Sequence, residues 1–207
     1  LSGIVTITEE LLEDAIFDMV KIITNRMGEA IANEEDRAFL TGSGTGRPTG
    51  LNSYTLPVQD AGGALSFDHI NSAYWRLPQA YREKAVWLMN GRTIEAVSQL
   101  KDSNNRYLLQ EAGILTEAGI PSLRSRPVYE SNFLESSSIF FGDLSYYYIG
   151  VRKGLTIRTS TEASLSLGGA NYSLWQRNAM GILAEERVDG ELSLTRAFRE
   201  ISNTGVS

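Results

Sequence analysis

The stretch Glu35-Asp36-Arg37-Ala38-Phe39-Leu40-Thr41-Gly42-Ser43-Gly44-Thr45-Gly46-Arg47-Pro48-Thr49-Gly50-Leu51 joins two incompatible patterns. Its first part closes a helical periodicity. Its second part places four glycines and a proline between positions 42 and 50 and excludes regular structure. Upstream, Ile16, Val20, Ile23, Met27 and Ile31 recur at three- or four-residue spacing. That spacing predicts one buried stripe on a long amphipathic helix from about Asp14 to Leu40. At about 1.5 Å per residue, such a helix is on the order of 40 Å long, a spine for a whole small domain. Before it, Gly3-Ile4-Val5-Thr6-Ile7 reads as a strand, and Thr6 with Glu9 has the form of a capping box opening a short helix through Leu11, Leu12 and Ala15. A chain that opens on Leu1 within a strand reads as cut from something longer.

Downstream the pattern is mixed. Residues 66 to 83 predict a helix carrying Phe67, Ile70, Ala73, Tyr74 and Leu77, which Pro78 kinks or ends. Ala85 to Met89 predicts a strand, and Arg92 to Leu100 a helix with Ile94, Val97 and Leu100 on one side. Lys101 to Ser125 is polar and glycine-punctuated, as expected of an extended surface excursion. Strands then dominate: Pro127–Glu130, Ile139–Phe141, Tyr146–Val151, Leu155–Thr159, Tyr172–Val188 and Leu192–Phe198, with Asp189-Gly190 predicting a hairpin between the last two. The fold class expected is α+β.

Composition bounds the function. With 207 residues and 42% hydrophobic content the chain suffices for one sizeable core or two smaller lobes. No run approaches the roughly 20 apolar residues needed to span a bilayer, so no membrane partner is expected. The absence of cysteine excludes a disulfide framework, a thiolate nucleophile and a Cys-based zinc site. A formal net charge of −6 argues against a surface devoted to gripping a phosphate backbone.

Candidate chemistry is sparse. The loop at 42–50 could cradle an anion, but it follows a helix C-terminus, the negative end of the dipole, and lacks a Gly-Lys-Ser/Thr ending. It reads as a structural hinge. A hydrolase using Ser43 and the single histidine, His69, lacks a Gly-x-Ser-x-Gly elbow, and Asp68 points away from its helical neighbour. The acidic groups Glu34-Glu35-Asp36 and Glu185-Glu186 lack a second ligand at a spacing that closes a metal site, and read as solvated faces or subunit contacts. Tyr146-Tyr147-Tyr148 could stack bases, but basic residues appear only at Arg152 and Lys153, so packing explains it more simply. No cofactor, metal or catalytic residue is expected.

The 35–51 stretch resembles the helix end and glycine turn of tailed-phage major capsid proteins of the Hong Kong 97 type. Val86-Trp87-Leu88-Met89-Asn90 followed by Leu100-Lys101-Asp102 is similar to that family's strand and loop. Ile139-Phe140-Phe141-Gly142-Asp143-Leu144-Ser145 with Tyr148, and Glu186-Arg187-Val188-Asp189-Gly190 with Ala197-Phe198, resemble further family signatures, all in family order.

The resemblance implies a Hong Kong 97-like fold with a peripheral domain at 1–50 and 184–207 and an axial domain at 51–183. It implies an icosahedral shell subunit that self-assembles into pentamers and hexamers around double-stranded DNA, without enzymatic activity. Scaffold, protease and portal proteins are the expected partners, with assembly in the host cytoplasm and a final place in the virion. Gly42, Gly44, Gly46 and Gly50 form the hinge loop, and Lys101, Asp102 and Arg106 are candidate axial-loop contacts. The family's N-terminal arm and long hairpin have no counterpart in these residues. One branch of the family joins lysine to asparagine with help from a glutamate, and Asn178 and Glu185 fall where that branch carries the latter two. Their odd separation puts them on opposite strand faces unless a bulge intervenes. The alternatives are an encapsulin-type nanocompartment shell and, from another class, a hydrolase or ligand-binding enzyme.

Overall fold

The computed structural model describes residues 1–101, 122–167, 170–202 and 204–206. The chain divides into two compact units: Leu1–Ala38 with Ile149–Asp189, and Phe39–Tyr148 with Gly190–Ser207.

In the first unit, β1 (Ser2–Thr8) is followed by the short helix α1 (Glu9–Asp14) and the long helix α2 (Met19–Thr41), whose last residues belong to the second unit. The predicted stripe holds: Met27 and Ile31 are buried with Ile182 and Ala184, and Val20, Ile23 and Ile157 pack around them. The helix starts later than periodicity suggested. Asp18 accepts the Lys21 amide at 3.0 Å and so supplies the N-cap, leaving Ile16 outside at 93% exposure. Thr6 does not cap α1 either; it sits in β1 opposite Gly181, and Thr8 is the residue before the helix. The strands of this unit are β1, β7 (Tyr147–Ser160), β8 (Ser164–Leu167), β9 (Ala170–Ser173) and β10 (Ala179–Leu192). They form a sheet in the order β1-β10-β7 and a separate β8-β9 pair.

Three strand expectations change. The runs at 146–151 and 155–159 fuse into the single strand β7, because Gly154 continues extended rather than turning. The run expected at 172–188 splits into β9 and β10 around a helical turn at Trp175–Arg177, closed by Asn178 in the left-handed region (φ 49°, ψ 52°). Asp189-Gly190 makes no hairpin. Neither residue has the positive φ that a two-residue hairpin turn needs, and β10 runs on to Leu192. What Gly190 supplies is room, since a Cβ there would collide with the Tyr147 hydroxyl and the Phe39 ring. The strand expected at 192–198 is accordingly a turn, and the chain re-enters a sheet only at β11 (Phe198–Ser202).

The second unit is built on a six-stranded sheet in the order β2-β11-β6-β3-β5-β4, with β2 Val58–Asp60, β3 Val86–Met89, β4 Ser122–Leu123, β5 Arg126–Glu130 and β6 Ile139–Gly142. β3 pairs parallel with β5 and β11 with β2; the other pairings are antiparallel. Side chains alternate across the pleat, and both faces are covered. Trp87, Met89, Ile139, Phe141 and Ile201 face the helices α3 (Phe67–Arg76) and α5 (Gly91–Ser98) through Ile70, Ala73 and Val97. Leu88, Phe140 and Phe198 face the other way, onto Leu51, Leu56, Leu134 and Leu192. Pro78 ends the expected 66–83 helix, and the chain resumes as the single turn α4 (Gln79–Arg82).

These units cut the chain at 38/39, 148/149 and 189/190, not at the expected 50/51 and 183/184. Residues 149–183 fall with α2 because β7 and β10 supply its sheet, and residues 190–207 fall with the central segment because β11 pairs with β6 and β2.

Candidate functional site

The titratable groups singled out in the sequence fill structural roles. His69 stands at the third residue of α3, where its Nδ1 accepts the backbone N–H of Ser66 at 3.2 Å in a reciprocal capping box. Ser43 lies in an isolated bridge with Thr49. Among the described residues no group of three or more metal-ligating side chains comes together. Tyr146 packs edge-on against Tyr81 and Tyr147 against Phe39, while Tyr148 is 63% exposed.

The glycine loop is closed on itself. The Gly42 carbonyl accepts the Gly50 amide at 2.8 Å and the Ser53 hydroxyl at 2.7 Å, and the Gly44 amide reaches Pro48 at 3.3 Å. Gly44 and Gly46 take positive φ (76° and 70°). Gly50 is needed for closeness, because a Cβ would run into the backbone of Leu40, Thr41 and Gly42. The Tyr147 hydroxyl donates to the Thr49 carbonyl at 2.9 Å, and the Thr49 amide donates to the Gly190 carbonyl at 3.2 Å. The loop lies wholly in the second unit, and the boundary between units falls before it, inside α2.

The candidate crosslink positions are not brought together. Asn178 is an exposed turn residue ahead of β10, and Glu185 lies seven positions further along the strand, roughly 20 Å away at strand rise. Glu185 is bound by Lys153 Nζ at 2.6 Å and Arg158 Nη2 at 3.0 Å, both on β7, and the Lys153 hydrogen bond holds its carboxyl below the usual carboxylate range. Lys101 makes a bridge after α5; Asp102 and Arg106 lie outside the described residues.

The two acidic groups read separately in the sequence meet through one member of each. Glu35 on α2 faces Glu186 on β10, and its buried Oε1 atom has no hydrogen-bond partner. Its carboxyl is pushed above the usual range, first by burial and then by the Glu186 charge. A folded-state pKa above the unfolded value means that the ionised group opposes folding. The penalty is complete above the folded pKa, shrinks as pH falls through it and is gone below the unfolded value. Glu35→Gln is therefore expected to raise the melting temperature at neutral pH. The gap from the parent should close as pH falls towards 4.5, read by thermal unfolding across a pH series. A gap that stays constant with pH would refute this account.

What the first unit presents most plainly is uncovered sheet edge. β7 lies at one end of the β1-β10-β7 order and is solvent-facing over most of its 14 residues, with Tyr148, Ile149, Val151 and Leu155 at 63, 53, 62 and 45% exposure. β1, the other edge, exposes Ile4 and Val5. Long apolar edges of this kind are aggregation templates unless a partner covers them.

The model of the phage capsid family matches residues 1–202. The chain belongs to the phage capsid family. A 55-residue stretch is 44% identical to the major capsid protein of Escherichia phage T5, covering 27% of this chain and 12% of that protein. Among solved structures, the capsid of a native GTA particle superposes with a TM-score of 0.81 at 24% identity, over 98% of this chain and 71% of that one. A chain of Gordonia phage Cozz gives 0.71 at 16% identity, over 98% and 69%. The encapsulin of Synechococcus elongatus PCC 7942 gives 0.67 at 13%, over 100% and 74%. The fold of this phage capsid family member is thus the Hong Kong 97-like one.

Proposed function

We propose that the chain is the shell-forming part of a major capsid protein, assembling with copies of itself into pentamers and hexamers of an icosahedral virion that encloses double-stranded DNA. It works by geometry rather than by chemistry. The observation that carries this reading is β7, a 14-residue edge strand with four exposed apolar side chains in a member of a capsid family. Such an edge suits a molecule completed by neighbours, since closed symmetric assemblies reuse one surface on every subunit. The unit built on α2 would serve as the peripheral domain and the unit built on the six-stranded sheet as the axial domain, with Lys101, Asp102 and Arg106 towards the axis. The closed glycine turn would fix how the chain leaves α2. Scaffold, protease and portal proteins would be its partners during assembly in the host cytoplasm.

The encapsulin likeness supports a second shell-type reading, but the family match and the T5 relative favour a phage capsid. Negative-stain electron microscopy with mass photometry on the full-length protein is the test. Closed shells, or capsomers that convert to shells, are expected. A monodisperse monomer under all assembly conditions would overturn the reading.

A further inference from the structure

One cavity in the second unit is lined by two arginines and a single acidic residue whose carboxyl is engaged elsewhere. It measures about 310 Å³ and lies between the end of α3 and strands β2 and β11, with Gln59, Ala73, Arg76, Arg199 and Glu200 in its wall. Arg199 is fixed in place: its Nη2 donates to the Arg76 carbonyl at 3.0 Å and its Nη1 to the Phe198 carbonyl at 2.8 Å. It thereby caps the C-terminus of α3, the end where a helix favours positive charge. Arg76, on the last turn of that helix, brings a second guanidinium beside it. Burial and the Arg76 charge both push the Arg199 pKa down, the mark of a desolvated cation facing a like charge. Neither arginine has an ion-pair partner among the described residues. Glu200, which also lines the cavity, does not pair with them: its carboxyl accepts from Ser138 Oγ at 3.3 Å, and burial pushes it above the usual carboxylate range with no arginine charge holding it down. The Gln59 Oε1 atom is buried without a hydrogen-bond partner.

The surroundings have the makings of an interface. β2 is the end strand of the sheet, Val58 on it is 53% exposed, and Trp75 on α3 is 60% exposed beneath the Arg82 guanidinium at 4.8 Å. Tryptophan and arginine are the residues on which binding energy concentrates at protein interfaces.

We infer that this cavity receives an acidic side chain from a second copy of the chain, a carboxylate bound between the guanidinium groups of Arg76 and Arg199. The inference rests on the shell-subunit reading. A second copy fits better than a nucleic acid because each copy carries 25 acidic against 19 basic residues, so every neighbour brings surplus carboxylates. Two arginines at a cavity mouth are too few for the many phosphate contacts that backbone binding uses. A planar guanidinium binds a carboxylate through two parallel hydrogen bonds, a geometry that lysine does not reproduce.

The test uses the full-length protein and the variants Arg76→Glu and Arg76→Ala, since Arg199 also caps a helix and its loss would disturb the fold. Assembly is followed by sedimentation velocity and light scattering, and the melting temperature is measured on dissociated subunits. Arg76→Glu is expected to raise the concentration needed for assembly by about tenfold or more. Arg76→Ala should fall between it and the parent, with the subunit melting temperature unchanged in both. Added salt should weaken assembly of the parent more than of Arg76→Ala. Unchanged assembly of Arg76→Glu, or a fall in assembly matched by a fall in subunit melting temperature, would overturn the inference. So would inorganic phosphate raising the melting temperature of parent subunits but not of Arg76→Glu, which would mark a free-anion site. A parent protein that fails to assemble would refute the shell reading itself, before any variant is compared.

Discussion

Trp87→Ala is expected to remove about 3–5 kcal/mol from the stability of the subunit, the usual cost of truncating a large buried aromatic. Trp87 is wholly buried in the middle of β3. Its ring stacks on Phe141 at 4.1 Å between centroids, and Phe141 stacks in turn on Tyr74 of α3 at 5.7 Å, so one side chain ties two strands and a helix together. Its Nε1 donates to the Leu123 carbonyl at 3.0 Å, in a buried bond that also holds β4 to the sheet. Alanine would leave a cavity and an unpaired carbonyl at once. Since domains are stable by only about 5–15 kcal/mol, the variant would be close to unfolding at body temperature. Urea titration of dissociated subunits, followed by the fluorescence of Trp75 and Trp175, measures the loss. Trp87→Phe separates its two parts, because it keeps much of the ring packing and loses the hydrogen bond, at an expected cost of about 1–3 kcal/mol. A loss below about 1 kcal/mol for Trp87→Ala would mean that the site collapses without strain and that the stack is not what holds this face.

The face that Trp87 anchors could be placed only partly by reading the chain. Val86-Trp87-Leu88-Met89 is apolar without alternation because helices cover one face of the sheet and the segments around Leu51 and Leu134 cover the other. A run buried on both sides has no period to read. The α2 stripe was legible for the opposite reason: one side of the helix is wet, so Val20, Ile23, Met27 and Ile31 stand out at helical spacing. Turn signals misled in both directions. Asp189-Gly190 looks like a hairpin but is a strand with a glycine placed for clearance. Arg124-Ser125, with nothing to mark it, does turn between β4 and β5, with both residues at positive φ. The helix start near residue 66 was legible from the spacing of Phe67, Ile70, Ala73 and Leu77, but its capping box was not, because histidine rather than glutamate or glutamine closes it. The two-arginine cavity depends on residues 123 positions apart, and no local pattern links Arg76 with Arg199.

Ile149→Lys combined with Val151→Lys is expected to abolish shell formation while leaving the subunit folded. Both residues are more than half exposed on the outer strand of the β1-β10-β7 sheet, and neither belongs to the buried cluster beneath α2. Substitutions at such sites typically change stability by no more than about 0.5 kcal/mol, so the melting temperature of the isolated subunit should stay within a few degrees of the parent. Lysines on an edge strand are the device by which soluble proteins keep sheet edges from pairing. Here they would act against the contact that a shell requires. Their effect on assembly should far exceed their effect on folding, because each shell repeats the same contact around its symmetry axes and every copy carries the change. Electron microscopy of the full-length double variant beside its parent, at equal protein concentration, gives the result directly. Normal shells would show that β7 stays solvent-facing in the assembled particle, and its apolar residues would then need a different explanation. Loss of shells together with an unfolded subunit would place the two side chains in the fold itself, against their exposure. Folded subunits without shells would make β7 an assembly surface.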